Sequence, residues 1–158
     1  MGHVGNYLNR ILGRFGLEFC RRDSPPEEQS PRASIRGCLE QAIRNGLHVE
    51  TVIDVGVAMG TPDLYDLFPG ARFILVEPLQ EYASAVQAIL ARLPRGDYVS
   101  AAAGSRSGEV VLHVHPDLGG SSLFEEQEES DVNGVERTVS ICRLDDVCQE
   151  KETGDPIC

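Results

Sequence analysis

One stretch, Asp54-Val55-Gly56-Val57-Ala58-Met59-Gly60, has residue types and spacing that chemistry could use. It follows a β-branched run, Thr51-Val52-Ile53, and precedes Thr61-Pro62-Asp63, which reads as a helix opening with Thr61 as N-cap. Gly56 can adopt a positive φ and leaves bare backbone for a ligand to approach. Ala58 and Gly60 keep the turn behind it tight. Asp54, near the end of the strand, can point into a crevice there. A second carboxylate, Glu77, stands 77 − 54 = 23 residues later, at the end of the apolar run Ala71–Glu77. An acid at that place can accept hydrogen bonds from both hydroxyls of a ribose.

Two ligands compete for such a loop. A dinucleotide needs G-x-G-x-x-G, so that its pyrophosphate meets backbone N–H groups at a helix start. Gly56, Ala58 and Gly60 give G-x-A-x-G instead. S-adenosylmethionine has no phosphate. It carries a sulfonium cation, an amino acid end and an adenosine, so a carboxylate at Asp54 helps rather than repels. Glu77 is common to both kinds of site and argues only against a 2′-phosphate.

Other candidates carry less. His113 and His115 share a strand face, but no third metal ligand stands near, so no metal site is expected and both read as solvated imidazoles. Ser105 and Ser107 are turn formers, with no G-x-S-x-G around them. Asp145 and Asp146 fall at a helix start, where acids answer free N–H groups. The cysteines number 5, with no C-x-x-C, which speaks against a zinc site or disulfide framework and fits a reducing cytoplasm. Cys38 reads as a small core residue.

The elements that must position these residues follow from periodicity. Residues 1–32 form an arm: an amphipathic helix with Leu8, Ile11, Leu12 and Phe15 on one face, then the proline-rich linker Asp23–Pro31. Its Arg10 and Arg14 allow weak contact with an anionic membrane surface. From Ala33 a helix runs to Asn45-Gly46. Strands are expected at Thr51–Gly56, Ala71–Glu77 and Asp97–Ala103, with helices from Thr61 to Leu67 and from Pro78 to Leu93 between them. Strand and helix in alternation predict a parallel sheet with crossover helices, in the order 3-2-1. Glu109–His115 and Val135–Ile141 alternate polar and apolar and are read as an appended antiparallel pair. Leu144–Glu150 reads as a short helix.

Charge sets limits on partners. With 14 basic and 25 acidic residues the net charge is −11, which excludes phosphate-backbone binding and hence nucleic acid. The acidic run from Glu125 to Asp131 reads as a solvated loop. No apolar run is long enough to span a membrane, and a cytoplasmic protein is expected.

In order and spacing, TVIDVGVAMG, FILVEPLQEYASAV, SAAAGSRSGEVVLHV, GGSSLFE and VERTVSICRLDDV resemble the FkbM family of S-adenosylmethionine-dependent methyltransferases. The likeness covers most of the chain from Glu50 to Val147; Val57-Ala58 stands where many members have Ala-Asn. The resemblance implies an α/β fold with the Rossmann-like sheet of class I methyltransferases. It also implies methyl transfer to a hydroxyl of a sugar, glycan or small natural product. Asp54, Gly56 and Gly60 would line the methionine end, Glu77 would hold the ribose, and Ala102 would lie against adenine. Ser121 and Ser122 match the family's serine pair.

The family's next element, a strand of the form (I/L)-K-I-D-V-x-G, does not follow Arg143–Val147 here. The expectation is therefore an incomplete sheet of three parallel strands plus an antiparallel pair. Residues 33–158 would form the cofactor-binding half of a methyltransferase domain, inactive alone. No residue qualifies as general base. The first strand would be an edge, open to self-association. Two other readings stand beside this one: a non-catalytic module for an adenosine ligand or for protein interaction, and a nucleotide-dependent oxidoreductase, which the G-x-A-x-G spacing disfavours.

Overall fold

A computed structural model of the chain describes residues 34–124 and 134–151. The arm and linker of residues 1–32, the acidic run from Glu125 to Asp131 and the end of the chain lie outside the described residues. The chain divides into two compact units, Met1–Gln41 and Ala42–Cys158, and every strand among the described residues lies in the second.

Helix α1 spans Ile35–Arg44. It buries none of its residues, and Cys38 is exposed rather than a core residue. The central layer is a sheet of β1 (Thr51–Val55), β2 (Arg72–Val76) and β3 (Gly96–Val99), all parallel, in the order β1-β2-β3. The register sets Asp54 beside Leu75, Val55 beside Val76 and Val76 beside Val99. Helix α2 (Pro62–Leu67) follows β1, and α3 (Ala83–Leu90) follows β2. This is the parallel, crossover-linked sheet that the alternation predicts.

β2 is the middle strand because its residues suit burial on both faces. Phe73, Ile74, Leu75 and Val76 are all fully buried. Successive side chains point to opposite faces, so Phe73 and Leu75 pack with Val52, Val57 and Val86 beneath α2 and α3. Ile74 and Val76 pack with Val147 and Leu144 on the other face. Those two residues belong to helix α4 (Leu144–Glu150), where the sequence placed it. Each such side chain contributes about 1.5–3 kcal/mol by leaving water.

Two elements differ from expectation. The third strand does not run unbroken from Asp97 to Ala103. It ends at Val99; the Ala101 N–H turns back to the Val99 carbonyl (3.0 Å), and Ala102–Ala103 form a separate strand, β4. The expected helix from Pro78 begins later, with a single 3-10 turn at Gln80–Tyr82 before α3. Leu79 is extended, and its N–H is taken by the Glu77 side chain (2.9 Å).

β4 opens a second, mixed sheet in the order β4-β6-β5. β5 (Gly108–Val114) and β6 (Val135–Cys142) pair antiparallel from Gly108–Ile141 to Val114–Val135, as the alternating pattern predicts. β4 pairs parallel with β6. Leu112 and Val114 bury against Leu79, Tyr82 and Leu118, tying this sheet to the segment after β2. No described helix is long and apolar enough to cross a membrane.

Candidate functional site

In open α/β sheets ligands bind beyond the carboxyl ends of the strands, and the chain brings its candidate residues there. Gly56 follows β1 directly, with φ +73°, and its N–H donates to the Val76 carbonyl at 2.9 Å. A Cβ built on Gly56 would meet nothing within 4 Å, so this backbone faces open space. Ala58, with φ +47°, also takes the left-handed conformation, which side chains rarely adopt. Its N–H donates to Glu77 Oε2 at 2.9 Å. Glu77 is 3% exposed, and its other oxygen takes the Leu79 N–H at 2.9 Å. The carboxylate thus joins the loop after β1 to the loop after β2. Each oxygen keeps a further lone pair for a ligand hydroxyl.

Gly56, Ala58 and Glu77 line a cavity of about 150 Å³ together with Leu79, Leu112 and Leu118. The lining combines bare backbone and a carboxylate with apolar side chains. Sites for drug-sized ligands enclose about 300–1,000 Å³, so this cavity matches part of such a ligand, of the size of a nucleoside base with its sugar edge. Ser121 also lines it. Its Oγ accepts the His115 N–H (3.1 Å), while Ser122 exchanges both backbone bonds with His113 (2.8 and 3.0 Å). The serine pair therefore folds the segment after β5 back over the cavity.

Asp54, Gly60 and Ala102 lie elsewhere. Asp54 is 7% exposed; Thr61 Oγ1 donates to its Oδ1 at 3.3 Å and Tyr65 Oη to its Oδ2 at 2.6 Å. Thr61 is the N-cap position of α2, but its hydroxyl serves Asp54 rather than capping the helix. Gly60, with φ +99°, lies against the rings and methyls behind the loop: a Cβ would come within 2.7 Å of Ile89 Cδ1 and 3.2 Å of Tyr65 Cε2. Ala102 is buried in β4, opposite Ile141. None of the three lines the cavity.

Sequence reasoning missed Tyr65. Burial first, and then the neighbouring Asp54, push its hydroxyl pKa well up, so it stays a proton donor. A buried strand-end carboxylate needs donors, and the Tyr four residues after Thr61 was the signal available.

His115 is not a freely solvated imidazole. Its Nδ1 lies 2.7 Å from Asp117 Oδ1, which also takes the Gly120 N–H at 2.9 Å. The Asp117 N–H approaches the same Nδ1 at 3.3 Å; the shorter carboxylate contact requires Nδ1 to carry the proton. Among the described residues no group of three metal-ligating side chains exists. Asp145 and Asp146 stand in the first turn of α4 without capping it; they pair with Arg143, and Asp146 accepts from Ser107 Oγ at 2.9 Å.

A larger concavity, of about 690 Å³, is at the amino ends of β1 and β2, between His48, Glu50, Arg72 and Arg95. That is the end of a parallel sheet where ligands do not bind. Comparison of the chain with protein-family models, with curated proteins and with solved structures gives no match.

Proposed function

We propose that the chain binds an adenosyl ligand, S-adenosylmethionine, at the carboxyl ends of β1 and β2, in the manner of a methyltransferase acting on a hydroxyl of a sugar or natural product. The observation that carries this reading is the meeting of Gly56, Ala58 and Glu77 around one cavity. Gly56 offers open backbone, Glu77 offers a buried carboxylate for ribose hydroxyls, and Leu79, Leu112 and Leu118 offer an apolar seat for a purine. The lack of a G-x-G-x-x-G loop weighs against a dinucleotide.

The test is calorimetric. The chain is expected to bind S-adenosylhomocysteine with one site. Glu77→Ala should weaken that binding by about 1.5–3 kcal/mol, through loss of hydrogen bonds to a charged acceptor. Gly119→Val, which adds a side chain to the lining of the cavity where no positive φ opposes it, should weaken it as well and guards against a folding defect in the first variant. No saturable binding to the unaltered chain would sink the reading. An assay with radiolabelled S-adenosylmethionine and hydroxyl acceptors then separates an enzyme from a module that only binds the adenosine ligand.

A further inference from the structure

Asp54 ends β1 next to the glycine loop, yet its carboxylate does not line the cavity. Both oxygens are committed inward. Tyr65 Oη donates to Oδ2 at 2.6 Å, a length typical of a charge-assisted bond. Thr61 Oγ1 donates to Oδ1 at 3.3 Å, and the Thr61 N–H donates to Tyr65 Oη at 3.1 Å. The three residues thus close a ring of hydrogen bonds across the far end of the loop.

The ring is anchored in the core. The aromatic ring of Tyr65 packs edge-on against Phe73, with centroids 5.5 Å apart, and Phe73 is fully buried. Gly60 lies directly on the same tyrosine ring. The loop is therefore pinned at three places: Gly56 to Val76, Ala58 to Glu77, and Gly60-Thr61 to Tyr65 and Asp54. Only the first two pins border the cavity.

Resting on the adenosyl reading above, we infer that Asp54 acts on the ligand through the loop and not by touching it, and that Tyr65 is the positioning residue that completes this lock. With the lock intact, the backbone from Gly56 to Gly60 is already in its binding conformation. With it broken, only a fraction of molecules hold that conformation, and apparent affinity falls by that fraction. The effect then reaches every ligand that uses the loop, whether or not it has a methionine end.

The experiment uses the full chain, two probes and one ligand-free measurement. The probes are S-adenosylhomocysteine and adenosine, by calorimetry; the ligand-free measurement is amide hydrogen exchange over residues 56–61. Tyr65→Phe and Asp54→Asn are each expected to weaken both probes by a similar factor, on the order of tenfold for a lost bond to a buried charge. The double variant should be at most about twofold weaker than either single, because residues of one network do not add. Loop amides should exchange faster in both singles without ligand. Thr61→Val, which removes only the longer bond, should show the same pattern at smaller size and serves if Asp54→Asn fails to fold.

A direct contact predicts otherwise. Asp54→Asn would then weaken S-adenosylhomocysteine but not adenosine, leave loop exchange unchanged and add its full factor to Tyr65→Phe; that result overturns the lock. If the unaltered chain binds neither probe, the adenosyl reading fails, and loop exchange in the free protein still decides: unchanged protection in both variants overturns the lock separately.

Discussion

At the scale of single residues, Ala58 shows where the loop departs from its own best chemistry. It holds φ +47° without being glycine. That conformation costs a residue with a Cβ about 1–2 kcal/mol. Glycine would avoid the cost but would gain more freedom in the unfolded chain, worth about 0.5–1 kcal/mol. The strain term is the larger, so Ala58→Gly should stabilise the fold by about 0.5–1 kcal/mol in urea denaturation. A destabilised variant would mean that the alanine methyl makes a contact worth more than the strain. The lining of the candidate cavity was half legible. Gly56, Ala58 and Glu77 could be found because glycine and acid at strand ends have few other uses. Asp54 could be found too, but its direction could not, since a carboxylate at a strand end can face either the crevice or the following helix. What decides is Tyr65, whose ring reads in sequence as an ordinary apolar helix position.

At the scale of elements, β2 was legible because its burial is nearly uniform: a strand buried on both faces has little alternative to a continuous apolar run. β3 was misjudged in length. The stretch Tyr98-Val99-Ser100-Ala101-Ala102-Ala103 is apolar except at Ser100, where β3 has ended, and Ala101 and Ala102 are small enough to bury at the junction where the chain leaves one sheet for the other. The lower end of β3 is fastened by charge. Asp97 accepts from Arg72 Nη2 at 2.7 Å and Nε at 3.2 Å, and lies 3.4 Å from Lys151 Nζ. β2, β3 and the end of α4 thus meet at one carboxylate. The hydrogen bonds from Arg72 hold the Asp97 pKa below its ordinary value against the opposing effect of burial, with Lys151 adding to the shift. The sign follows from the depressed folded value. The contribution is present above the unfolded pKa of about 3.9 and is lost as pH falls through the folded value. Asp97→Asn should therefore lower stability at neutral pH, by about 1 kcal/mol or less because the pair is partly exposed. The difference from the unaltered chain should shrink below about pH 4. Equal losses at pH 7 and pH 3 would show that Asp97 matters by shape and not by charge. Denaturant midpoints at the two pH values decide this.

At the scale of the whole molecule, the question is what the first strand does with its outer edge. β1 ends the order β1-β2-β3, and among the described residues no strand pairs with its far side. Val55 is 48% exposed, and Ile53 is half-buried. An apolar edge with free N–H and C=O groups invites pairing with a second copy. Two β1 strands related by a twofold axis could exchange up to about five backbone bonds, each worth about 0.5–1.5 kcal/mol net. Bringing two chains together costs about 4–15 kcal/mol. These terms nearly cancel, so smaller forces decide. The largest of them is the net charge of −11 on each copy, which opposes association. That repulsion is screened by salt, over about 10 Å at 0.1 M and about 3 Å at 1 M ionic strength. The expected behaviour is therefore a monomer in dilute, low-salt solution and a reversible dimer at high protein concentration in high salt. Val55→Lys puts a charge at the exposed end of the edge and should hold the chain monomeric in both conditions. Sedimentation velocity over a concentration series at the two ionic strengths measures this. A dimer that weakens as salt rises, or one that survives Val55→Lys unchanged, would place the association on charged surface elsewhere and leave the β1 edge without that role.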